Sequence, residues 1–307
     1  MSKNFEIVVP GSIANLGAGF DTLAVAVQLY LRLNVKVLES KGELNFRFVN
    51  QELKGENYIE RAFRFLARQR EDVFPSLDVE VYTDIPMRAG LGSSAAATVA
   101  GLRLYEALTF PQPTQALLNA ACALEGHPDN VSASLLGGLT VSCQLPDGSA
   151  YAARMKWPEE LVFIVLTPDV PLATSEARRV LPVVVPRQDA VFNLQRVALF
   201  LQVLQSGNYE LLKQSMSDRL HQPFRQSLVP GLEAALNLEH DDLLGVCLSG
   251  AGPSIVCIAE QNLNHVEQLL CSAYKVSTAI PYQVRQLRVH QGNAEEDRPA
   301  LAGACCA

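Results

Sequence analysis

The chain is 307 residues long, 49% hydrophobic and 19% charged, a balance that excludes intrinsic disorder, whose signature is low hydrophobicity with high charge. At that length one large domain or two ordinary ones bury a core without metal or disulfide staples. The 25 Lys+Arg against 32 Asp+Glu leave a net charge of -7. That argues against a broad nucleic-acid surface, because phosphate backbones need a basic footprint, but leaves room for a pocket that holds one small phosphate. No apolar run reaches the roughly 20 residues of a membrane span, and residues 1–6 lack the apolar stretch and small-residue cleavage site of a signal peptide. Cys122, Cys143, Cys247, Cys257, Cys271, Cys305 and Cys306 are odd in number, show no zinc or redox spacing and sit mostly among apolar neighbours. Buried thiols in a reducing, cytoplasmic setting are expected.

Residues 5–10 read as a short strand. Over 22–38 the residues Val25, Val27, Leu29, Leu31, Leu33, Val35 and Val37 recur at every second position, the period of a half-buried strand. Residues 43–49 alternate likewise after a turn at Gly42. Tyr58, Ile59, Ala62, Phe63 and Leu66 follow helical spacing, and 77–85 returns to strand. An alanine-rich helix is predicted after Ser94 to about 108, and a second from Thr114 to near Glu125, where Gly126 and Pro128 break it. Residues 139–144 form a strand, 146–148 a turn and 161–167 an apolar strand. The domain change falls at Trp157-Pro158, giving an N-terminal domain over 1–157, a C-terminal domain over 158–290 and a fraying tail over 291–307. Helical patterns cover 175–181, 189–205, 209–220 and 232–238. Strands over 244–248 and 254–259, a helix over 263–274 and a strand over 282–289 complete the set, with no internal repeat.

Four short segments carry chemistry. Gly90-Leu91-Gly92-Ser93-Ser94 opens a helix: glycines let a backbone approach phosphate closely, and the N–H groups and dipole of a helix start favour negative charge. The hydroxyls of Ser93 and Ser94 suit a phosphate or a magnesium ion. The segment is neither a P-loop nor a dinucleotide fingerprint, and by itself is equally a plain strand-to-helix turn. Residues 10–21, rich in small side chains, hold Asn15, a donor and acceptor, and Asp21, an acceptor for an ammonium or hydroxyl; both residue types also satisfy local backbone in turns. Residues 124–130 concentrate Glu125, a hard oxygen ligand suited to magnesium, with His127, Asp129 and Asn130, although an ordinary loop has the same composition. Ser249-Gly250-Ala251-Gly252-Pro253-Ser254 either presses N–H groups toward an anion or simply joins two strands.

Jointly, the loop over 10–21, the P-x-x-x-G-L-G-S-S-A-A segment from Pro86 and the S-G-A-G-P-S turn resemble the three motifs of the GHMP small-molecule kinases, in order and spacing over nearly the whole chain. Glu125-Gly126-His127-Pro128-Asp129-Asn130-Val131 with Gly137-Gly138, Thr174-Ser175-Glu176-Ala177-Arg178 and His221-Gln222-Pro223-Phe224-Arg225 resemble the homoserine kinases of that family in particular. Gly11 stands where the family usually has alanine, Ala18 where it often has proline, and Arg88-Ala89 is in transposed order. The resemblance implies an α+β fold of two domains. The N-terminal one would contain a left-handed β-α-β crossover, an exception to the right-handed rule, and the C-terminal one would be ferredoxin-like.

The resemblance further implies ATP binding by Asn57, Pro86, Met87, Arg88, Ala89, Gly90, Leu91, Gly92, Ser93, Ser94, Ala95 and Ala96, an anion turn at Gly250, Ala251 and Gly252, and magnesium on Ser94 and Glu125. Substrate contacts are implied for Asn15, Asp21, His127, Arg178 and Arg225. Asp21 would neutralise an ammonium and the arginines would offer a carboxylate a planar, bidentate partner, with Arg219 as the alternative to Arg225. The implied reaction transfers the ATP γ-phosphoryl group to the side-chain hydroxyl of L-homoserine, in threonine biosynthesis, by a cytoplasmic homodimer with neither nucleic acid nor membrane as partner. Because a loose transition state lets positioning and charge stabilisation dominate, Asn130 is assigned to orient the hydroxyl, while Asp129 stays open as the side chain facing it. A GHMP kinase for another alcohol, such as mevalonate, is the second reading, and a catalytically silent ligand sensor the third.

Overall fold

The computed structural model describes residues 4–53, 55–70 and 73–292; most of the expected tail, with Cys305 and Cys306, lies outside the described residues. The first sheet is built on a long hairpin. β1 (Asn4–Ala14) pairs antiparallel with β2 (Leu23–Lys41) from Asn4↔Lys36 to Ala14↔Ala24, and the register shifts between Pro10 and Gly11. Proline removes a ladder donor there, the usual place for a bulge. Residues 11–14, expected as loop, therefore continue the strand and bring Ser12 to the edge of the site. β3 (Leu44–Phe48) and β4 (Pro75–Thr83) run parallel and are joined through α1 (Tyr58–Arg70), which supplies the expected β-α-β crossover.

Beyond the 84–92 loop lie α2 (Ser93–Leu108), α3 (Thr114–Glu125) and α4 (Asp129–Leu136), followed by the hairpin of β5 (Leu139–Gln144) and β6 (Ala150–Met155). The sheet order is β3-β4-β2-β5-β6, with β1 along the other edge of β2. Neither α4 nor β6 is expected from the sequence. Gly126, at φ 84°, ends α3 as expected, but the chain re-enters a helix directly after Pro128, a residue tolerated at a helix start.

The second domain holds β7 (Val162–Pro168), α5 (Thr174–Arg179), α6 (Arg187–Ser206), α7 (Leu212–Ser215), α8 (Gln222–Arg225), α9 (Leu232–Leu236), β8 (Gly245–Leu248), β9 (Ile255–Ala259), α10 (Leu263–Ser277) and β10 (Tyr282–Leu287). The sheet order β10-β7-β9-β8, antiparallel throughout, sets the first strand between the last and the third. This is the ferredoxin-like arrangement, with α5 to α9 filling its first crossover. The helix predicted over 209–220 is broken after α7. The Asp218 carboxylate accepts the backbone N–H groups of Leu220, His221 and Gln222, so side-chain bonds replace the helical ladder.

The two domains share apolar contacts. Trp157, 1% exposed, packs its ring 4.8 Å from Phe163 of β7 and 6.5 Å from Phe200 of α6, and its Nε1–H donates to the Leu161 carbonyl. After β10 the chain returns to the first sheet, where Val289 bridges Val27 and the His290 N–H donates to the Ala26 carbonyl. The loops over 15–21, 84–92 and 249–254 meet where the two domains join.

Candidate active site

The sharp path of the 84–92 loop comes from left-handed residues: Arg88, Gly90 and Gly92 have φ 54°, 76° and 72°. Gly92 directly precedes α2 and gives it no side-chain cap. The N–H groups of the first helical turn thus remain as the donors that make a helix start an anion site. A Cβ on Gly92 would collide with Ser12 Oγ, and one on Gly90 with the Ser249 carbonyl, so close approach as well as φ requires glycine at both positions. The Ser12 N–H donates to the Leu91 carbonyl at 3.1 Å, Ser249 Oγ donates to the Gly90 carbonyl at 2.6 Å and the Ser254 N–H to the Ala89 carbonyl at 3.2 Å. In the 249–254 turn the Gly250 N–H donates to Ala14 and the Gly252 N–H to Ser249. These contacts make the turn a brace behind the glycine loop and commit two of its amides within the protein.

Ser94 and Glu125, 31 residues apart, meet: Ser94 Oγ donates to Glu125 Oε2 at 2.8 Å. Thr98, one helical turn beyond Ser94 and so on the same face, donates its buried hydroxyl to Glu125 Oε1 at 2.8 Å. Arg61 Nη2 lies 3.7 Å from the same Oε1 and donates to the Leu124 carbonyl. Hydroxyl and carboxylate oxygens of this kind fit a hard divalent cation. Thr98 and Arg61 were not singled out from the sequence; only the four-residue spacing to Ser94 could have pointed to Thr98. Asn57 stands at the start of α1, where its Oδ1 accepts the N–H groups of Ile59 and Glu60 at 3.1 and 3.3 Å, as a helix cap does.

The expected substrate residues converge beside this loop. Arg178 grips Asp21 with two parallel bonds, Nη1 to Oδ2 at 3.0 Å and Nη2 to Oδ1 at 2.6 Å. Buried Asn15 donates Nδ2–H to the Gly250 carbonyl, and its Oδ1 accepts the Asp21 N–H, so its amide fixes the shape of the 15–21 loop. Asp21, His127 and Asp129 bring their ligand atoms within 4.8 Å of one another. His127 Nδ1 lies 2.6 Å from Asp129 Oδ1. Burial disfavours the charged ring, yet the hydrogen bond and charge of Asp129 outweigh it and raise the His127 pKa.

Asp129 is buried and also accepts the Asn130 N–H at 2.8 Å. Half-buried Asn130 bridges: its Nδ2–H donates to the same Asp129 Oδ1 at 3.4 Å, while its Oδ1 accepts from Ser12 Oγ at 2.9 Å and lies 3.3 Å from the position of a Cβ on Gly92. Asn130 thus borders the glycine loop, and Asp129 faces His127.

Arg225 is 1% exposed, donating Nε–H to the Ala177 carbonyl at 3.1 Å and Nη1–H to the Gly250 carbonyl at 3.1 Å. Burial, then the neighbouring Arg178 charge, lower its pKa to about 10, which leaves it charged at neutral pH. The Phe20 ring lies 5.5 Å from the Arg178 guanidinium and 5.3 Å from that of Arg225, a shared platform the sequence did not reveal. Arg219 pairs instead with Asp189 of α6 and lies over the Phe192 ring.

An uncapped helix start behind a glycine loop, a hydroxyl–carboxylate pair at its edge and an adjoining cluster of opposite charges suit a phosphate group held next to a small charged molecule. The family model described as GHMP kinases N terminal domain matches residues 57–138, and GHMP kinases C terminal matches residues 200–276. Homoserine kinase of Solibacter usitatus (strain Ellin6076) is 36% identical over 279 residues, 89% of this chain and 91% of that protein. Homoserine kinase of Deinococcus radiodurans is 39% identical over 265 residues, 85% of this chain and 86% of that one. The crystal structure of homoserine kinase from Cytophaga hutchinsonii superimposes with a TM-score of 0.83 at 25% identity, covering 98% of each chain. The chain belongs to the GHMP kinase family and, within it, to the homoserine kinases. No helix among the described residues is long and apolar enough to cross a membrane.

Proposed function

We propose that this chain transfers the γ-phosphoryl group of ATP to the side-chain hydroxyl of L-homoserine. The observation that carries the reading is Asn130, whose side chain joins Ser12 at the glycine loop while its neighbour Asp129 reaches into the charged pocket. The N–H groups opening α2 receive the triphosphate. Asp21 and the pair Arg178 and Arg225 are complementary to the two ends of a zwitterion, ammonium to carboxylate and carboxylate to guanidinium. Ser94 and Glu125, the latter steadied by Thr98, would hold a magnesium ion, which when bound supplies charge neutralisation at the phosphates.

Asn130 orients the acceptor hydroxyl with its amide. Asp129 already accepts from His127 and from the Asn130 N–H, which supports a base-free transfer in which positioning and charge stabilisation carry the rate. The same reading places the enzyme in the cytoplasm, in threonine biosynthesis, as a homodimer. ADP release measured with L-homoserine, mevalonate, shikimate and no acceptor tests it. Magnesium-dependent release with L-homoserine alone, together with a phosphomonoester signal from O-phospho-L-homoserine, is expected. Equal release with mevalonate or without acceptor would contradict it.

A further inference from the structure

His221 has no role in the chemistry above, yet it is 0% exposed and contacts three parts of the substrate pocket. Its Nε2 lies 2.8 Å from the Gly17 carbonyl, and its Nδ1 lies 3.1 Å from Arg225 Nη1. A carbonyl only accepts and a guanidinium only donates. The two contacts are therefore satisfied together by one form alone, the neutral ring with its proton on Nε2. The same ring stacks on Phe20 at 5.1 Å and 22°, and Phe20 is the platform beneath the Arg225 guanidinium. His221 thus fixes one edge of Arg225 directly and its face through Phe20.

The other guanidinium contacts complete the count. Nε is bound to Ala177 of α5 and Nη1 to both His221 and Gly250. Nη2 is the nitrogen with no hydrogen bond among the described residues. We propose that His221, as the neutral Nε2–H tautomer, is a positioning residue that fixes Arg225 so that Nη2 remains available to the carboxylate of the substrate. This rests on the function proposed above, because it assigns that carboxylate to Arg225.

The surroundings keep the ring neutral. Burial is the largest influence and the Arg225 charge acts with it, while the buried Asp218 carboxylate, 3.6 Å from Nε2, the Gly17 hydrogen bond and Asp21 act in the opposite direction; the result is a lowered pKa. The Cys247 thiol on β8, pushed up by burial to about 12, adds no charge. A proton on Nδ1 would set N–H against N–H, and on a ring that also keeps its Nε2 proton one cation against another, removing the Arg225 contact.

Two substitutions separate positioning from bulk. His221→Asn retains an acceptor near Nδ1, whereas His221→Gln retains the donor toward Gly17 and loses that acceptor. Because small misplacement of a binding group is costly, His221→Gln should raise KM for L-homoserine roughly ten- to a hundredfold with KM for ATP little changed. His221→Asn should stay within about threefold of wild type, since it keeps the Arg225 contact. Equal KM increases in both variants, or none in His221→Gln, would overturn the proposal. Should neither variant fold, ring-nitrogen NMR of the wild-type protein decides: a protonated Nε2 with a bare Nδ1 supports it, and a protonated Nδ1 overturns it. A wild-type protein that ignores L-homoserine would refute the proposed function, while the ring spectrum still tests the tautomer.

Discussion

Asp129 and Asn130 touch through Asn130 Nδ2–H and Asp129 Oδ1, but His127 engages the Asp129 carboxylate and Ser12 the Asn130 carbonyl oxygen. Asn130→Ala should therefore lower kcat more than it weakens ATP binding. Asp129→Asn should retain much of the activity, whereas a true general base would lose about 10²–10⁴-fold. Steady-state kinetics of the two variants separates these outcomes. The His127–Asp129 pair also links stability to pH. The folded pKa of His127 is raised, so its contribution is fully present below the unfolded value near 6.5 and fades as pH rises through the folded pKa. Asp129→Asn should flatten that part of a Tm-against-pH profile. The residue types of this pocket were legible in the sequence; their partners were not. Asn15, Asn57 and Asp21 are all polar groups in loops, and only the folded chain shows that Asn15 holds Gly250, Asn57 caps α1 and Asp21 takes Arg178.

At the scale of the element, the glycine loop and α2 work as one unit. Gly92→Ala places a Cβ against Ser12 Oγ at φ 72°. The left-handed conformation alone costs about 1–2 kcal/mol for a residue with a side chain. Urea denaturation should show at least that loss, KM for ATP should rise, and Ser12→Ala in the same protein should recover part of both. Period and composition disclosed most strands and helices because one face of each is buried, as in β2, where Leu29, Leu31, Leu33 and Val35 point inward and Gln28 and Asn34 outward. They failed where no periodic face exists. β6 reads Ala150-Tyr151-Ala152-Ala153-Arg154-Met155 with Ala150 its one buried position. α4 follows a proline, and the 209–220 pattern was cut by the Asp218 carboxylate, a side-chain effect that hydrophobic spacing does not register.

For the whole molecule, the site depends on two domains holding fixed positions, and Trp157, the one tryptophan of the chain, sits at their junction. Its fluorescence and the far-UV circular dichroism should lose structure at the same urea concentration, because a shared core unfolds as a unit. Trp157→Ala should cost about 3–5 kcal/mol, and separate transitions in the wild type would show independent domains. The joined domains set Asp21, paired with Arg178, and Arg225 beside the glycine loop, and the central consequence of the proposed function is selectivity for a zwitterionic alcohol. The direct measurement is kcat/KM for L-homoserine against 4-hydroxybutanoate, which keeps the hydroxyl and carboxylate but lacks the amino group, in the wild type and in Asp21→Asn. A charge-assisted contact of about 1.5–3 kcal/mol predicts a preference of roughly ten- to a hundredfold in the wild type that largely disappears in the variant. Equal use of both alcohols by the wild type, or an unchanged preference in Asp21→Asn, would contradict the account.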